Sequence, residues 1–154
     1  MTLDKEFLRA LEGVCAVRQG DAVDALDPGF HSDNLAAGVV ALPKSAQEVC
    51  AIVNLCAAHQ IPIVPHGGRT GLAGAGASLP GQLIVDLKAL NKIVALDTDT
   101  GTICVQPGIT LKEVQRACAA HGLTPGIDLS ARGSATSVAW LPPMPGAWRR
   151  SGAA

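Results

Sequence analysis

The stretch VPHGGRTGLAGAGA, residues 64–77, decides how this chain is interpreted, because it places five glycines within the ten residues that begin at Gly67. Glycine adopts positive φ and lets the backbone approach a ligand without a Cβ atom, so consecutive N–H groups can converge on an anion. A flexible surface loop explains the glycine content alone equally well. The position of the stretch in the chain favours anion binding.

The residues before this loop predict a βαβ unit. An apolar run closed by proline, residues 38–43, is typical of a buried strand, and Ile61 to Val64 predict the next one. Between them Ser45 and Glu48 have the spacing of a capping box, which opens a helix that runs to about His59. The predicted inward face of this helix carries Val49, Ile52, Val53 and Cys56.

This order of elements predicts a parallel pair of strands with a right-handed crossover. The glycine-rich loop then begins at the carboxyl end of a strand, where open α/β sheets bind ligands. It is neither a Rossmann G-x-G-x-x-G nor a G-x-x-x-x-G-K-[ST] loop, because the next predicted element is a strand, residues 82–87, and not a helix.

The flanking segments complete an α+β prediction with a mixed sheet. Residues 3–11 predict an opening helix stopped by Gly13, and residues 19–35 an irregular connector that turns at residues 27–29 and carries no assigned chemistry. The runs 83–85, 93–96 and 102–105 predict a meander. Thr110 and Glu113 predict a second capping box, and the helix that it opens turns Leu111, Val114 and Cys118 inward and ends before Gly122.

Composition narrows the function classes. A net charge of -1 and a pI of about 6.4 give no basic field for nucleic acid or an anionic membrane, so we expect a small-molecule partner. No apolar run approaches the roughly 20 residues of a transmembrane helix, and the charged N-terminus lacks a secretory h-region, which predicts a cytoplasmic protein. The dispersed histidines predict no metal site.

The cysteines carry no predicted chemistry. The chain has five of them and no C-x-x-C pair, so we expect all five to be reduced. Those in helical patterns, Cys50, Cys56 and Cys118, are expected to be small buried hydrophobic residues rather than ligands or nucleophiles.

Three segments together resemble a known family. VPHGGRTGLAG (64–74), QPGITL (106–111) and TPGIDLSARGSAT (124–136) are similar to the FAD-binding PCMH-type domain of the vanillyl-alcohol oxidase superfamily. The nearest branch is that of D-lactate dehydrogenase, glycolate oxidase and D-2-hydroxyglutarate dehydrogenase. The resemblance covers about residues 35–136 and implies FAD as cofactor, and it implies oxidation of a small 2-hydroxy acid by the intact enzyme.

The resemblance also implies which residues contact FAD. The pyrophosphate would be held by Pro65, His66, Gly67, Gly68, Arg69, Thr70, Gly71, Leu72, Gly74 and Ala75. Further contacts would come from Pro107, Gly108, Gly133, Ser134, Ala135 and Thr136. Asp128 either positions the loop before Ser134 or is a plain turn-forming aspartate. None of these positions has a catalytic role in the family.

Two positions beside the Gly-Gly pair bear on how the flavin is attached. Some relatives attach the flavin through a histidine directly after the Gly-Gly pair, but Arg69 stands at that position, which predicts non-covalent FAD. His66 precedes the pair, and a loop side chain with no ligand role is the favoured interpretation of it.

The resemblance stops at Thr136. The family continues with a segment like IGGMVATNAGG, whereas residues 137–150 read SVAWLPPMPGAWRR and hold both tryptophans. Inserting one base before a synonymous coding sequence of residues 137–146 yields IGGMVATNAG, so we predict a reading-frame shift. The chain then divides into a helix and connector (1–34), the first part of the FAD-binding domain (35–136) and an out-of-frame tail (137–154).

Alternative functions stay open. Without the substrate-handling half of its relatives, the chain is expected to be inactive by itself. It is then a non-catalytic FAD-binding module or the unstable product of a disrupted gene. A cell-wall precursor reductase with the same cofactor fold is disfavoured by the match over residues 130–136.

Overall fold

The computed structural model describes residues 3–137 and 148–150. The helices are α1 (Lys5–Glu12), α2 (Asp21–Asp24), a 3-10 turn (Ser32–Leu35), α3 (Ala46–Ala58) and α4 (Leu111–Ala119). The strands are β1 (Ala16–Gln19), β2 (Val39–Leu42), β3 (Ile63–His66), β4 (Leu83–Asp86), β5 (Ile93–Asp97), β6 (Thr102–Val105), β7 (Leu123–Pro125) and β8 (Trp148–Arg150). The α+β class predicted from the sequence is confirmed.

The main sheet has four strands in the order β1-β2-β4-β3. β4 lies between β2 and β3 and is parallel to both, while β1 is antiparallel at the edge. The parallel direction of β2 and β3 agrees with the predicted βαβ unit, but β4 separates the two strands. β4 takes the centre because all four of its residues are buried, and a central strand is covered on both faces.

The predicted meander is therefore wrong. β4 joins the parallel sheet, and only β5 and β6 pair with each other, as a separate antiparallel hairpin. Exposure explains the difference, since β5 alternates little and leaves most of its residues in solvent, whereas β4 is apolar on both faces.

Helices α1 and α3 cover one face of the main sheet. Their shared core consists of Phe7, Leu11, Ala41, Ile52, Cys56, Leu83 and Val85. The Ser45 hydroxyl caps α3 as predicted, by accepting the N–H of Glu48 at 3.2 Å, but the Glu48 carboxylate accepts from the Lys44 N–H and not from Ser45. Two inward predictions for α3 are wrong, because Val53 and Cys50 are exposed.

A second core lies under α4. Here Ile109, Leu111, Val114, Cys118, Leu123 and Ala135 pack together, with β5 and β6 at the margin. The predicted capping box at Thr110 and Glu113 is confirmed, and Leu111, Val114 and Cys118 are buried as predicted. Strand β7 pairs antiparallel with β8.

The N-terminal segment contains more structure than predicted. The opening helix and its stop at Gly13 are confirmed. The segment predicted as an irregular connector begins at the end of β1 and includes α2 and the 3-10 turn. Its predicted turn is present, with Gly29 at φ 75° and its N–H bonded to the Asp27 carboxylate.

Most of the tail predicted to be out of frame, residues 138–147 and 151–154, lies outside the described residues. Ser137, the first residue of this predicted tail, lies within the described residues, and its side-chain contacts are described. It is buried, its N–H donates to the Ile109 carbonyl, and its hydroxyl donates to the Gln106 carbonyl. Among the helices of the described residues, none has the length and hydropathy to cross a membrane.

Candidate functional site

The glycine-rich loop forms the wall of a pocket at the carboxyl ends of β3 and β4. The loop leaves β3 after His66, and Asp86 at the end of β4 is the register partner of that histidine. The pocket has a volume of about 410 Å³. Its lining comprises Asn34, Pro65, His66, Gly67, Gly68, Arg69, Thr70, Gly71, Leu72, Ala73, Ala75 and Gly76. The structure thus brings together every residue predicted in the first segment, apart from Gly74.

The loop presents backbone amides that have no acceptor within the described protein. From Arg69 to Gly76 no backbone N–H donates to another atom of residues 3–137 or 148–150. The backbone turns left-handed at Arg69 (φ 54°) and Gly74 (φ 72°), and left-handed residues are typical of backbone nests, in which successive N–H groups face an anion. None of these residues is buried, so their unpaired N–H groups are accessible from solvent to a bound anion.

Arg69 ties the loop to its surroundings. Its guanidinium Nη2 lies 2.7 Å from Asp86 Oδ2, its Nε 3.2 Å from His66 Nδ1, and its Nη1 3.3 Å from the Asp27 carbonyl. The two charged side chains are 5% and 8% exposed, so this is a buried ion pair. Sequence reasoning missed it, because the partners are 17 residues apart and belong to different elements.

His66 is a buried strand residue, which corrects its interpretation as a loop side chain. Its Nδ1 accepts the Arg69 bond, so the proton sits on Nε2, which donates to the Gly76 carbonyl at 2.8 Å. Burial lowers the pKa of His66 from its ordinary value, with the nearby Arg69 charge adding to the effect. The neutral imidazole therefore connects Arg69, near the start of the loop, with Gly76, near its end.

The N-terminal connector packs against the same loop. A Cβ atom on Gly29 would overlap the Arg69 carbonyl oxygen, and one on Gly76 would lie 3.0 Å from Asn34 Oδ1. Ser78, fully buried where the loop ends, donates to the Asn34 carbonyl and accepts the Ala37 N–H. The segment to which the sequence assigned no chemistry therefore helps to fix the loop.

The third matched segment, residues 124–136, contacts the glycine-rich loop. The Gly68 N–H donates to Thr136 Oγ1 at 3.3 Å, and a Cβ on Gly68 would overlap the Ser134 carbonyl oxygen. Thr136 also forms an isolated antiparallel β-bridge with Thr110, and the Ala135 carbonyl accepts the Leu111 N–H. Gly133 and Ser134 are exposed beside this contact.

The second motif lies at the end of β4. Gly108 is buried, its N–H donates to the Leu90 carbonyl at 2.7 Å, and a Cβ atom there would overlap the Leu87 carbonyl oxygen. Pro107 beside it is half-buried. Packing against the chain after β4 thus already requires a glycine at position 108.

Asp128 stabilises the loop before Ser134. Its carboxylate accepts from Gln115 Nε2, from the Leu129 N–H and from the guanidinium of Arg132. The Gln115 hydrogen bond is the main reason that the pKa of Asp128 is lowered. These contacts agree with a positioning role for an exposed aspartate. Within the described part of the chain, no cluster of three His, Cys, Asp or Glu residues could hold a metal ion.

Comparison with known families gives the class of domain. Residues 37–143 match the model of the FAD binding domain, and this match covers more than half of the chain. The chain therefore belongs to the FAD-binding domain family, and FAD is the cofactor of that domain.

Curated relatives have the names of the predicted branch. A D-2-hydroxyglutarate dehydrogenase of Xanthomonas citri is 40% identical over 95 residues, which is 62% of this chain and 20% of the relative. A D-lactate dehydrogenase of Anaerostipes hadrus is 32% identical over 65% of this chain and 22% of its own length. Glycolate oxidase subunit GlcD of Bacillus subtilis is 34% identical over 54% of this chain and 18% of its own. The chain spans about a fifth of the length of these relatives.

Solved structures support the fold. An alkyldihydroxyacetonephosphate synthase has a TM-score of 0.77 at 22% identity, over 91% of this chain and 32% of that one. A berberine-bridge-enzyme-like protein of Physcomitrella patens, BBE-like 1, has a TM-score of 0.67 at 16% identity, over 79% of this chain and 28% of its own. The predicted family and the PCMH-type fold are confirmed, and the relatives above have the names of the predicted branch.

Proposed function

We propose that residues 65–76 hold the pyrophosphate of FAD without a covalent bond, as the nucleotide-gripping part of a flavin-dependent oxidoreductase. The observation that carries this proposal is the row of loop amides from Arg69 to Gly76 that lack an acceptor among the described residues, in a segment that lines one pocket with all of its residues except Gly74. Hydrogen bonds from neutral N–H groups to charged oxygens contribute roughly 1.5–3 kcal/mol each, so several of them suffice for a diphosphate. This suits a chain whose net charge is only -1.

The side chains of the loop support non-covalent binding. Arg69 occupies the position after the Gly-Gly pair, and its guanidinium lacks the imidazole nucleophile that a covalent flavin bond uses there. His66 is the loop's own histidine, but both of its ring nitrogens are engaged within the protein. Neither residue is free to attach to a flavin.

The third motif would complete the cradle. The Thr136 hydroxyl is buried and accepts the Gly68 N–H, so it would support the cradle by holding Gly68 in place. The Ser134 hydroxyl already donates to the Ala131 carbonyl, so it would act toward FAD as an acceptor or through its backbone. The backbones of Pro107 and Gly108 complete the proposed set.

For the whole enzyme we propose the oxidation of a small 2-hydroxy acid such as D-lactate or glycolate. The names of the relatives support this substrate class. FAD, when bound, supplies the hydride acceptor, and the protein binds and orients. No residue of the described pocket is assigned as catalytic acid or base.

A second candidate function is a non-catalytic FAD-binding module or the product of a disrupted gene. Large apolar side chains stand in solvent beside the pocket and on the hairpin, with Phe30 70%, Leu72 80% and Val94 64% exposed. Exposed apolar groups of this kind favour a chain that associates or is degraded when alone. Sequencing the DNA beyond codon 136 in all three frames tests the frameshift, which fails if no frame encodes the IGGMVATNAGG-like segment.

The test of FAD binding uses the purified chain. Titration with FAD should quench flavin fluorescence, and acid precipitation should release all of the flavin into the supernatant. Gly71→Val should abolish binding, because a side chain there meets no protein atom within 4 Å and fills the cradle instead. The control Ala58→Leu, on the exposed side of α3, should bind normally. Equal binding by Gly71→Val would refute the site. Dye reduction with 2-hydroxy acids, measured on the full-length protein with the reading frame restored, separates the enzyme from the module.

A further inference from the structure

Arg69 has an unfavourable backbone conformation that its side chain compensates. A φ of 54° is rare for a residue with a Cβ atom and costs free energy unless other contacts hold it. The contacts come from three separate parts of the chain: His66 at the end of β3, Asp86 at the end of β4, and the Asp27 carbonyl of the connector. The planar guanidinium reaches all three acceptors from different nitrogen atoms of one rigid fork, whereas a lysine has a single ammonium nitrogen.

The charges of this group balance within the protein. Asp86 Oδ2 neutralises the guanidinium at 2.7 Å, and its other oxygen accepts the Lys88 N–H at 3.0 Å. His66 accepts from Arg69 and is therefore neutral in this arrangement. A cation neutralised in this way is a weak direct ligand for phosphate, although the residue lies in the pocket wall.

We propose that Arg69, His66 and Asp86, here called the Arg69 cluster, act as positioning residues that hold the loop amides in the conformation that binds the diphosphate of FAD. The inference rests on the proposed function, and it adds that Arg69 acts through the backbone and not as a phosphate-binding cation. The direct-cation model makes opposite predictions for two substitutions, so the two roles can be separated.

Asp86→Asn keeps the Arg69 charge and removes its partner. A positioning role predicts FAD binding at least about tenfold weaker, because the guanidinium loses the contact that fixes the loop, and a tenfold loss is about 1.4 kcal/mol. A direct cation would instead bind FAD as tightly or more tightly once it was no longer neutralised. Arg69→Lys should likewise lose about tenfold under positioning. Under the direct-cation model it should keep its affinity, because lysine also binds phosphate as a point charge.

The binding experiment measures FAD affinity by fluorescence quenching on the full chain. The controls are Asp97→Asn and Arg18→Gln, which change exposed charges on β5 and β1 outside the pocket. If the wild-type chain binds no FAD, the proposed function is overturned together with this inference. If the wild type binds FAD but both Asp86→Asn and Arg69→Lys bind as tightly, only the positioning role is overturned.

A second readout needs no FAD. Trypsin cleaves after arginine, and the Arg69–Thr70 bond is protected while the guanidinium stays buried and paired. Asp86→Asn should speed cleavage at this bond by about tenfold or more, since proteolysis follows the population of the locally open state. The Asp97→Asn control should digest like the wild type. Equal cleavage at Arg69 in wild type and Asp86→Asn would overturn the positioning role whatever the flavin result.

Discussion

The contact between Gly68 and Ser134 yields a quantitative prediction, because it joins the loop to the third motif through backbone atoms only. In Gly68→Ala the new methyl group would overlap the Ser134 carbonyl oxygen and lie 2.8 Å from its carbonyl carbon. Neither atom belongs to a flexible side chain that could rotate away. The loop and residues 131–136 must therefore separate.

The expected cost follows from two terms. Overpacking of a close contact costs about 1–3 kcal/mol, and the hydrogen bond from the Gly68 N–H to Thr136 Oγ1 contributes about 1 kcal/mol when it is lost. We expect the free energy of unfolding to fall by about 2–4 kcal/mol. For a chain of this size each kcal/mol lowers Tm by about 2–4 °C, so thermal unfolding should show a drop of at least about 4 °C.

Gly71→Ala is the matched control. No atom lies within 4 Å of a Cβ at position 71, so the same chemical change in the same loop should alter the stability of the FAD-free chain by less than about 0.5 kcal/mol. If both variants melt at the wild-type temperature, the two backbones do not approach as closely as the predicted overlap at Ser134 requires. If both variants lose equal stability, the loss comes from the reduced backbone freedom of an alanine and not from the contact between Gly68 and Ser134.

Three further predictions concern titration, capping and thiol reactivity. Burial lowers the pKa of His66 below 6.5, so its contribution to stability is full above pH 6.5 and is lost as the pH falls toward the folded-state pKa. Between pH 7.5 and 5 the free energy of unfolding measured in urea should therefore fall more steeply in wild type than in His66→Gln. Thr110→Ala removes the hydroxyl that caps α4 and should cost about 1 kcal/mol in the same assay, and an unchanged midpoint would contradict the capping role. Cys50 is exposed and should react with a thiol reagent well before Cys56, whose burial raises its pKa to about 11; peptide mapping that finds the two modified at equal rates in the native chain would refute this.

Sequence reasoning succeeded wherever a signal is local. The Thr110 capping box depends on residues three apart and appears with both of its hydrogen bonds. Strand β2 and the end of α3 near His59 follow from apolar runs and from the helical period. It failed for Val53 and Cys50, because a helical pattern defines a face but not how much of that face the sheet covers.

The candidate site shows the same division. The glycines of residues 67–76 are visible in the sequence, and their need for backbone freedom follows from the absence of a Cβ atom. The pairing of Arg69 with Asp86 is not visible, since it depends on β4 lying beside β3. The contacts of the connector with the loop depend in the same way on where the chain returns.

The sequence by itself determined the helix caps, the main apolar strands and the family, because these depend on residues near one another in the chain or on segments matched in order. Only the tertiary structure decided that β4 separates β2 from β3, that Arg69 is buried against Asp86, and that Thr136 meets Gly68 across 68 residues. Such contacts are chosen by which surfaces can be buried together in one core, and that choice is made by the whole chain.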